Sequence, residues 1–179
     1  DTIVVVAINN QYAGYITMGD EIKEDAVQAV KDMHSLNIKT VMLSGDKQAV
    51  VDAVAKELNI DQAFGDLLPE NKVEKVEELK SHNLKIAFVG DGVNDAPALK
   101  SAQIGVSMGG RGTDVARESS SLVLLEDDFS SIVEAVKMGR RIFDNLKKAT
   151  AYIVSVHIPI IGMSLIPVIF QLPLVLLPV

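Results

Sequence analysis

Along the first four-fifths of the chain, short β-branched runs alternate with stretches of helical periodicity, the pattern of a parallel sheet covered by helices on both faces. Ile3 to Ile8 and Ala13 to Met18, separated by Asn9-Asn10-Gln11-Tyr12, predict an opening hairpin. Ile22 to Leu36 is amphipathic, with Ile22, Ala26, Ala29, Val30 and Met33 on one side and Lys23, Glu24, Lys31 and Asp32 largely opposite. Asn37 is a plausible left-handed stop to that helix. The pattern then predicts strand 38–43, helices 47–58 and 70–81, strand 84–89, helix 95–101, and strands 103–107 and 121–125. No internal repeat or low-complexity linker interrupts this series.

The pattern changes near residue 149. From Ala149 to Val179 there is no Asp, Glu, Lys or Arg, a run longer than the roughly 20 apolar residues that span a bilayer as a helix. Arg140, Arg141, Lys147 and Lys148 stand just before it, so by the positive-inside tendency that flank faces the cytoplasm. A helical pattern begins near Phe129 and meets no breaker before Pro159, which predicts one long helix from about Ser130 into the membrane. Pro159, Pro167, Pro173 and Pro178 are expected to break the tail into pieces, with a second helix starting near Pro173. Proline frees a backbone carbonyl, and Ser155 and His157 beside Pro159 are candidate ion-pathway residues. Against that stands the plainer option of a histidine donating to a neighbouring helix carbonyl.

Composition fits a chain that bridges water and membrane. Hydrophobic residues make up 48% of the 179 positions, with only 4% aromatic. The formal charge of −7 argues against nucleic-acid binding, because no basic region is concentrated enough to track phosphates. With no cysteine, disulfides and cysteine-containing intramembrane metal sites are excluded within this stretch.

The chemistry concentrates in Gly90-Asp91-Gly92-Val93-Asn94-Asp95-Ala96-Pro97, directly behind the apolar run Leu84 to Val89. Asp91, Asn94 and Asp95 therefore sit at the carboxyl end of a buried strand, where open α/β sheets hold their ligands. Two carboxylates and an amide suit Mg²⁺ with bound phosphate, since this ion takes oxygen ligands and keeps several waters. Helix capping by Asn94 or Asp95 is the simpler alternative, yet it does not require both aspartates. The stretch Gly109-Gly110-Arg111-Gly112-Thr113-Asp114 invites a phosphate-loop reading but lacks the Lys-Ser/Thr ending of such loops. A flexible turn into a short helix with Asp114 and Arg117 is the preferred expectation.

The octapeptide resembles the hinge motif of P-type cation-transporting ATPases, a branch of the haloacid dehalogenase-like phosphotransferases. Three further segments follow the order of that family. Met42-Leu43-Ser44-Gly45-Asp46 is similar to its Thr-Gly-Asp loop, with serine in place of threonine. Asp66 to Lys72 is similar to the segment carrying its lysine, and Asp20-Glu21-Ile22-Lys23 to its Asp-x-x-Arg/Lys element. Serine keeps the hydroxyl donor, so the substitution matters little for phosphoryl recognition. Taken alone, Ser44 could also be an N-cap for the helix near Lys47. Lys72 falls in the first turns of a helix, where the dipole disfavours a cation, so it either reaches solvent or points at an anion. These are the residue types phosphoryl transfer needs, because its catalysis is mostly positioning and charge neutralisation.

The resemblance implies an α/β, Rossmann-like parallel sheet that lacks its nucleophile strand and is followed by a transmembrane segment. The family's nucleophile lies in an Asp-Lys-Thr-Gly-Thr sequence, which does not occur here. Its strand would lie between those ending at Ser44 and Asp91, and a nucleotide-binding domain would precede residue 1. Alone, the chain is expected neither to phosphorylate itself nor to bind adenine well. The implied organisation is a phosphorylation domain over 1–128, a stalk helix over 129–148 and a membrane segment over 149–179, with residues 1–148 cytoplasmic and the membrane that of the cell. Mg²⁺ and ATP are the implied cofactors, Asp91 and Asp95 the metal ligands, and Ser44, Lys72, Asn94 and Asp95 the catalytic set. Gly45 and Asp46 complete the phosphate side, while Asp20 and Lys23 lie near the nucleotide tail. Implied partners are a transported inorganic cation, the rest of the pump and the lipid bilayer. The tail looks closer to the calcium and alkali-cation branch, and the soluble half resembles heavy-metal pumps at least as well. Two other readings remain: a soluble phosphatase of the same superfamily, or a non-catalytic truncated membrane subunit.

Overall fold

The computed structural model describes residues 2–18, 22–171 and 173. They form two compact units, residues up to Val133 and residues from Glu134. The first unit opens with the antiparallel hairpin β1 (Thr2–Ile8) and β2 (Gln11–Met18). The turn is tighter than the pattern suggested. Gln11 pairs with Ile8, leaving only Asn9 and Asn10, both at positive φ (50° and 63°). Asparagine tolerates that left-handed backbone, which is why a two-residue hairpin turn is possible.

Helix α1 (Glu24–Ser35) follows, and Asn37 takes the expected left-handed conformation (φ 57°) after it. Next come β3 (Val41–Leu43), α2 (Gln48–Leu58) and β4 (Gln62–Phe64), a parallel pair joined by a helix. Strand β4 is absent from the sequence reading, since three residues are too few to show a period. Asn59, in the left-handed conformation, turns the chain out of α2. The carboxylate of Asp61 accepts bonds from the Thr40 amide (2.7 Å), the Thr40 hydroxyl (3.1 Å) and the His34 Nε2 (3.0 Å). The Thr40 amide is the main reason its pKa lies below the ordinary carboxylate value.

Helix α3 (Pro69–Ser81) leads to the three-stranded parallel sheet β5 (Ala87–Gly90), β6 (Ile104–Met108) and β7 (Leu122–Leu124), in that order. Between β5 and β6 lie a 3-10 turn (Val93–Asp95) and α4 (Ala96–Ser101). Between β6 and β7 lies α5 (Asp114–Ser119). The βαβ connection recurs three times, as a parallel sheet requires. One core joins these pieces: Val76, Phe88, Ala98, Leu99 and Ala116 are buried together, with Leu43, Val73, Ile86 and Ala102 packed against them. Leu43 thus ties β3 to the core of β5, yet among the described residues the two strands are not hydrogen-bonded neighbours.

The 41-residue helix α6 (Phe129–Ile169) begins in the first unit and makes up most of the second. It is long and apolar enough to cross a membrane, with a mean hydropathy of 2.0 over its apolar stretch. At 1.5 Å per residue it is about 60 Å long, roughly twice the hydrocarbon thickness of a bilayer. It also corrects the expected breaks, because the helix runs through Pro159 and Pro167. Each proline forfeits one backbone bond within a helix that is already formed on both sides, a loss that membrane helices tolerate. Ser155 Oγ donates to the Ala151 carbonyl (2.8 Å), and His157 Nδ1 is bonded to the Ile153 carbonyl (2.8 Å). The Ser155 hydroxyl and the His157 Nδ1 thus each bond to a carbonyl of their own helix. The helix expected near Pro173 lies outside the described residues.

Candidate active site

The site is assembled at the carboxyl ends of β3 and β5 and at the start of α3. Ser44 follows β3, and its amide donates to the Phe64 carbonyl (2.9 Å), so the loop leaves the strand beside β4. Its hydroxyl donates to Asp46 Oδ2 (2.8 Å) and accepts from the Asp46 amide (3.2 Å). Ser44 is therefore not the cap of α2. That task falls to Asp66, whose Oδ2 accepts from the Gln48 amide (3.0 Å). Asp66 N donates to the Asp46 carbonyl (2.6 Å) and Leu67 N to the Ser44 carbonyl (3.0 Å). The Ser44-Gly45-Asp46 loop is thus stitched to the segment that opens α3.

Pro69 sets the first turn of α3, and Asn71 Oδ1 accepts from the Leu68 amide (3.3 Å). One turn on, Lys72 reaches back to an anion rather than to solvent. Its Nζ donates to Asp95 Oδ1 at 2.7 Å, with the two side chains only 15% and 13% exposed. Asp95 Oδ2 also accepts from the Gly92 amide (3.2 Å), closing the turn after β5. Glycine is required at position 90 for this packing, since a Cβ there would stand 2.7 Å from the Asp95 Cβ. Asp91 and Asn94 remain exposed on the same turn. Asp91 lines a cavity of about 170 Å³ with Val89, Gly90, Met108, Arg111 and Phe129.

The glycine-rich loop after β6 is a brace, which revises the expectation of a flexible turn. Asp127 accepts from the amides of Gly110 (3.0 Å) and Arg111 (2.7 Å). Arg117 donates to the carbonyls of Gly109 and Gly112 and pairs with Asp114. The loop amides that would cradle a phosphate are already held by a carboxylate. Thr113 caps α5 through the Ala116 amide, and its own amide donates to the Asp91 carbonyl (2.9 Å). A Cβ on Gly112 would stand 1.9 Å from the Met108 carbonyl, so this close return of the loop demands glycine. Burial pushes the Asp127 carboxyl up, but the amides of Gly110, Arg111 and Gly109 outweigh it and hold its pKa below the ordinary value. The sequence reading missed this clamp on the backbone of Asp91. Its only linear signal is a glycine cluster followed by Thr113 and, distantly, Asp127.

Ser44, Gly45, Asp46 and Asp91 lie on loops, Asn94 and Asp95 on the 3-10 turn and Lys72 in the first turn of α3, all next to elements that share the core. Lys23, by contrast, donates to the Asp127 carbonyl (3.3 Å) at the entry to α6, where Asp25 accepts from the Phe129 amide (3.2 Å). Asp20 lies outside the described residues. Among the described residues no group of three or more His, Cys, Asp or Glu side chains is positioned to hold a metal. Asp91 and Asp95 nonetheless fit the one or two carboxylates that Mg²⁺ takes from a protein. An exposed carboxylate, an exposed amide, a hydroxyl and a lysine–aspartate pair can together neutralise and orient a phosphoryl group.

Two sets of parallel strands thus carry Ser44 at the carboxyl end of β3 and Asp91 with the Lys72–Asp95 pair at the carboxyl end of β5, residue types that suit a phosphoryl group. The chain belongs to the haloacid dehalogenase-like hydrolase family, whose model matches residues 1–103. The narrower resemblance to P-type ATPases holds as well. The chain is 46% identical over 143 residues to the zinc-transporting ATPase of Synechocystis sp., covering 78% of the chain and 20% of that protein. It is 50% identical over 144 residues to a cadmium, zinc and cobalt-transporting ATPase of Bacillus subtilis, with the same coverage. Among solved structures, a zinc-transporting PIB-type ATPase in the E2.Pi state superposes with a TM-score of 0.79 at 33% identity, over 96% of this chain and 27% of that one. The chain therefore spans about a fifth of the length of these curated relatives.

Proposed function

We propose that this chain is the piece of an ATP-driven cation pump that completes its phosphorylation domain and leads into its membrane segment. The observation that carries this is that, among the described residues, β3 and β5 are not hydrogen-bonded neighbours although Leu43 packs against the core that holds β5. Their carboxyl ends carry Ser44 and Asp91. A further strand placed between β3 and β5 would set an aspartate nucleophile between those loops, which is what acyl-phosphate chemistry requires. Mg²⁺, held by Asp91 with Asp95, would supply charge neutralisation on the phosphoryl group of ATP.

The residues present divide the remaining work. The Ser44 hydroxyl and the adjacent Gly45 and Asp46 backbone orient phosphoryl oxygens. Lys72 uses one ammonium proton on Asp95 and keeps two for the phosphoryl group. Asn94 donates from its exposed amide, and Asp20 with Lys23 serves the nucleotide tail. Residues 1–148 lie on the cytoplasmic side of the cell membrane, where ATP is. Residues 129–148 form the stalk, and 149–179 enter the bilayer beside the pump's other helices. The transported substrate is an inorganic cation, and the metal ions named for the relatives favour a transition metal. In the full-length protein, Asp91→Ala should abolish Mg²⁺-dependent phosphoenzyme formation from labelled ATP while membrane insertion persists. Normal phosphoenzyme in that variant would reject the assignment.

A further inference from the structure

The segment of α6 just before its uncharged stretch carries charge in an uneven way. At 100° per residue, Lys137, Arg140, Arg141, Lys147 and Lys148 fall within an arc of about 120°. Asp144 is the one acid in that arc. The rest of the circumference presents Met138, Ile142, Phe143 and Leu146, all exposed. This stripe is strongly cationic in a chain whose formal charge is −7.

We propose that this stripe binds the headgroups of anionic phospholipids in the leaflet that α6 enters. The inference rests on reading α6 as a transmembrane helix. Lys148 directly precedes Ala149, the first residue of the uncharged run. Lys147 and Lys148 then lie in the headgroup layer, which is about 5–7 Å deep on each side of a bilayer. Arg141 is about 10 Å further out along the helix axis, close to the Debye length of about 8 Å at physiological salt. Its flexible stem lets the guanidinium reach back toward the surface. The occupant follows from charge and position together. An apolar arc suits packing against protein, whereas a cationic arc beside the membrane surface complements anionic headgroups. Asp144, in the middle of the stripe, weakens the attraction.

The test uses the 179-residue chain in vesicles of phosphatidylcholine with a minority of phosphatidylglycerol, read by electron paramagnetic resonance of either lipid in spin-labelled form. The fraction of labelled lipid immobilised on the protein reports relative association. Phosphatidylglycerol should be preferred by about fivefold or more, the effect of one basic side chain near an anionic surface. In an R141Q/K147Q/K148Q variant the preference should fall toward unity, and in D144N it should rise. Added inorganic phosphate should leave it unchanged, whereas high salt should reduce it. Equal association of the two lipids with the inserted chain, or an unchanged preference in the triple variant, overturns the proposal. A chain that carbonate strips from the vesicles overturns the transmembrane reading and this one with it.

Discussion

Replacing Lys72 by methionine removes one half of a short, largely buried ion pair while keeping the length of the side chain. The pair is 2.7 Å long, and both side chains are about six-sevenths withdrawn from water. Cutting a fully buried pair costs about 3–5 kcal/mol, because the partner's charge is left uncompensated. Two features reduce that figure here. Asp95 keeps the Gly92 amide as a donor, and both groups retain some solvent. We therefore expect Lys72→Met to destabilise the β5–α4 region by about 2 kcal/mol, the range of a lost charge-assisted hydrogen bond. Asp95→Asn should cost a similar amount. The double variant should cost less than the sum of the two, by about 1–2 kcal/mol, since neither group is then left alone. Amide hydrogen exchange resolved by mass spectrometry, on peptides covering residues 85–101, measures this locally without unfolding α6. A loss of about 2 kcal/mol appears there as roughly 30-fold faster exchange. Additive single effects, with no coupling beyond about 0.3 kcal/mol, would refute the reasoning: Lys72 would then be a solvated lysine and Asp95 a capping residue.

Two further expectations concern the same turn and its brace. Gly90→Ala places a methyl against the Asp95 side chain. It should cost about 1–3 kcal/mol, as overpacking does, and accelerate exchange in the same peptides as Lys72→Met. An unchanged exchange profile would mean that the turn has room to shift. Asp127 and Asp61 both have carboxyl pKa values held below the ordinary range, Asp127 because the loop amides prevail over burial and Asp61 chiefly through the Thr40 amide. Their stabilisation is therefore present above the unfolded value of about 4 and is lost as pH falls through the depressed folded values. Protection of the Gly110 and Arg111 amides should hold at neutral pH and disappear in acid, and Asp127→Asn should mimic the acid state at pH 7.

Much of the site was legible because the information is local. The octapeptide after β5 places Asp91, Asn94 and Asp95 by strand–turn–helix geometry alone. Asn37 shows its left-handed conformation through its own short side chain, and the charge-free run after Lys148 declares itself by length. What tertiary structure decided depends on residues far apart in the chain. That Lys72 meets Asp95, 23 positions away, rather than solvent follows from α3 and β5 sharing a core around Val76 and Phe88. That the glycine-rich loop is a brace for Asp91 rather than a phosphate cradle follows from Asp127 returning 17 residues later to occupy its amides. Strand β4 exists because β3 offers it an edge, and the three residues Gln62 to Phe64 carry no period of their own. Linear pattern reports what each segment prefers by itself. Which side chains end up opposite one another is settled only when the shared core fixes the distances between segments.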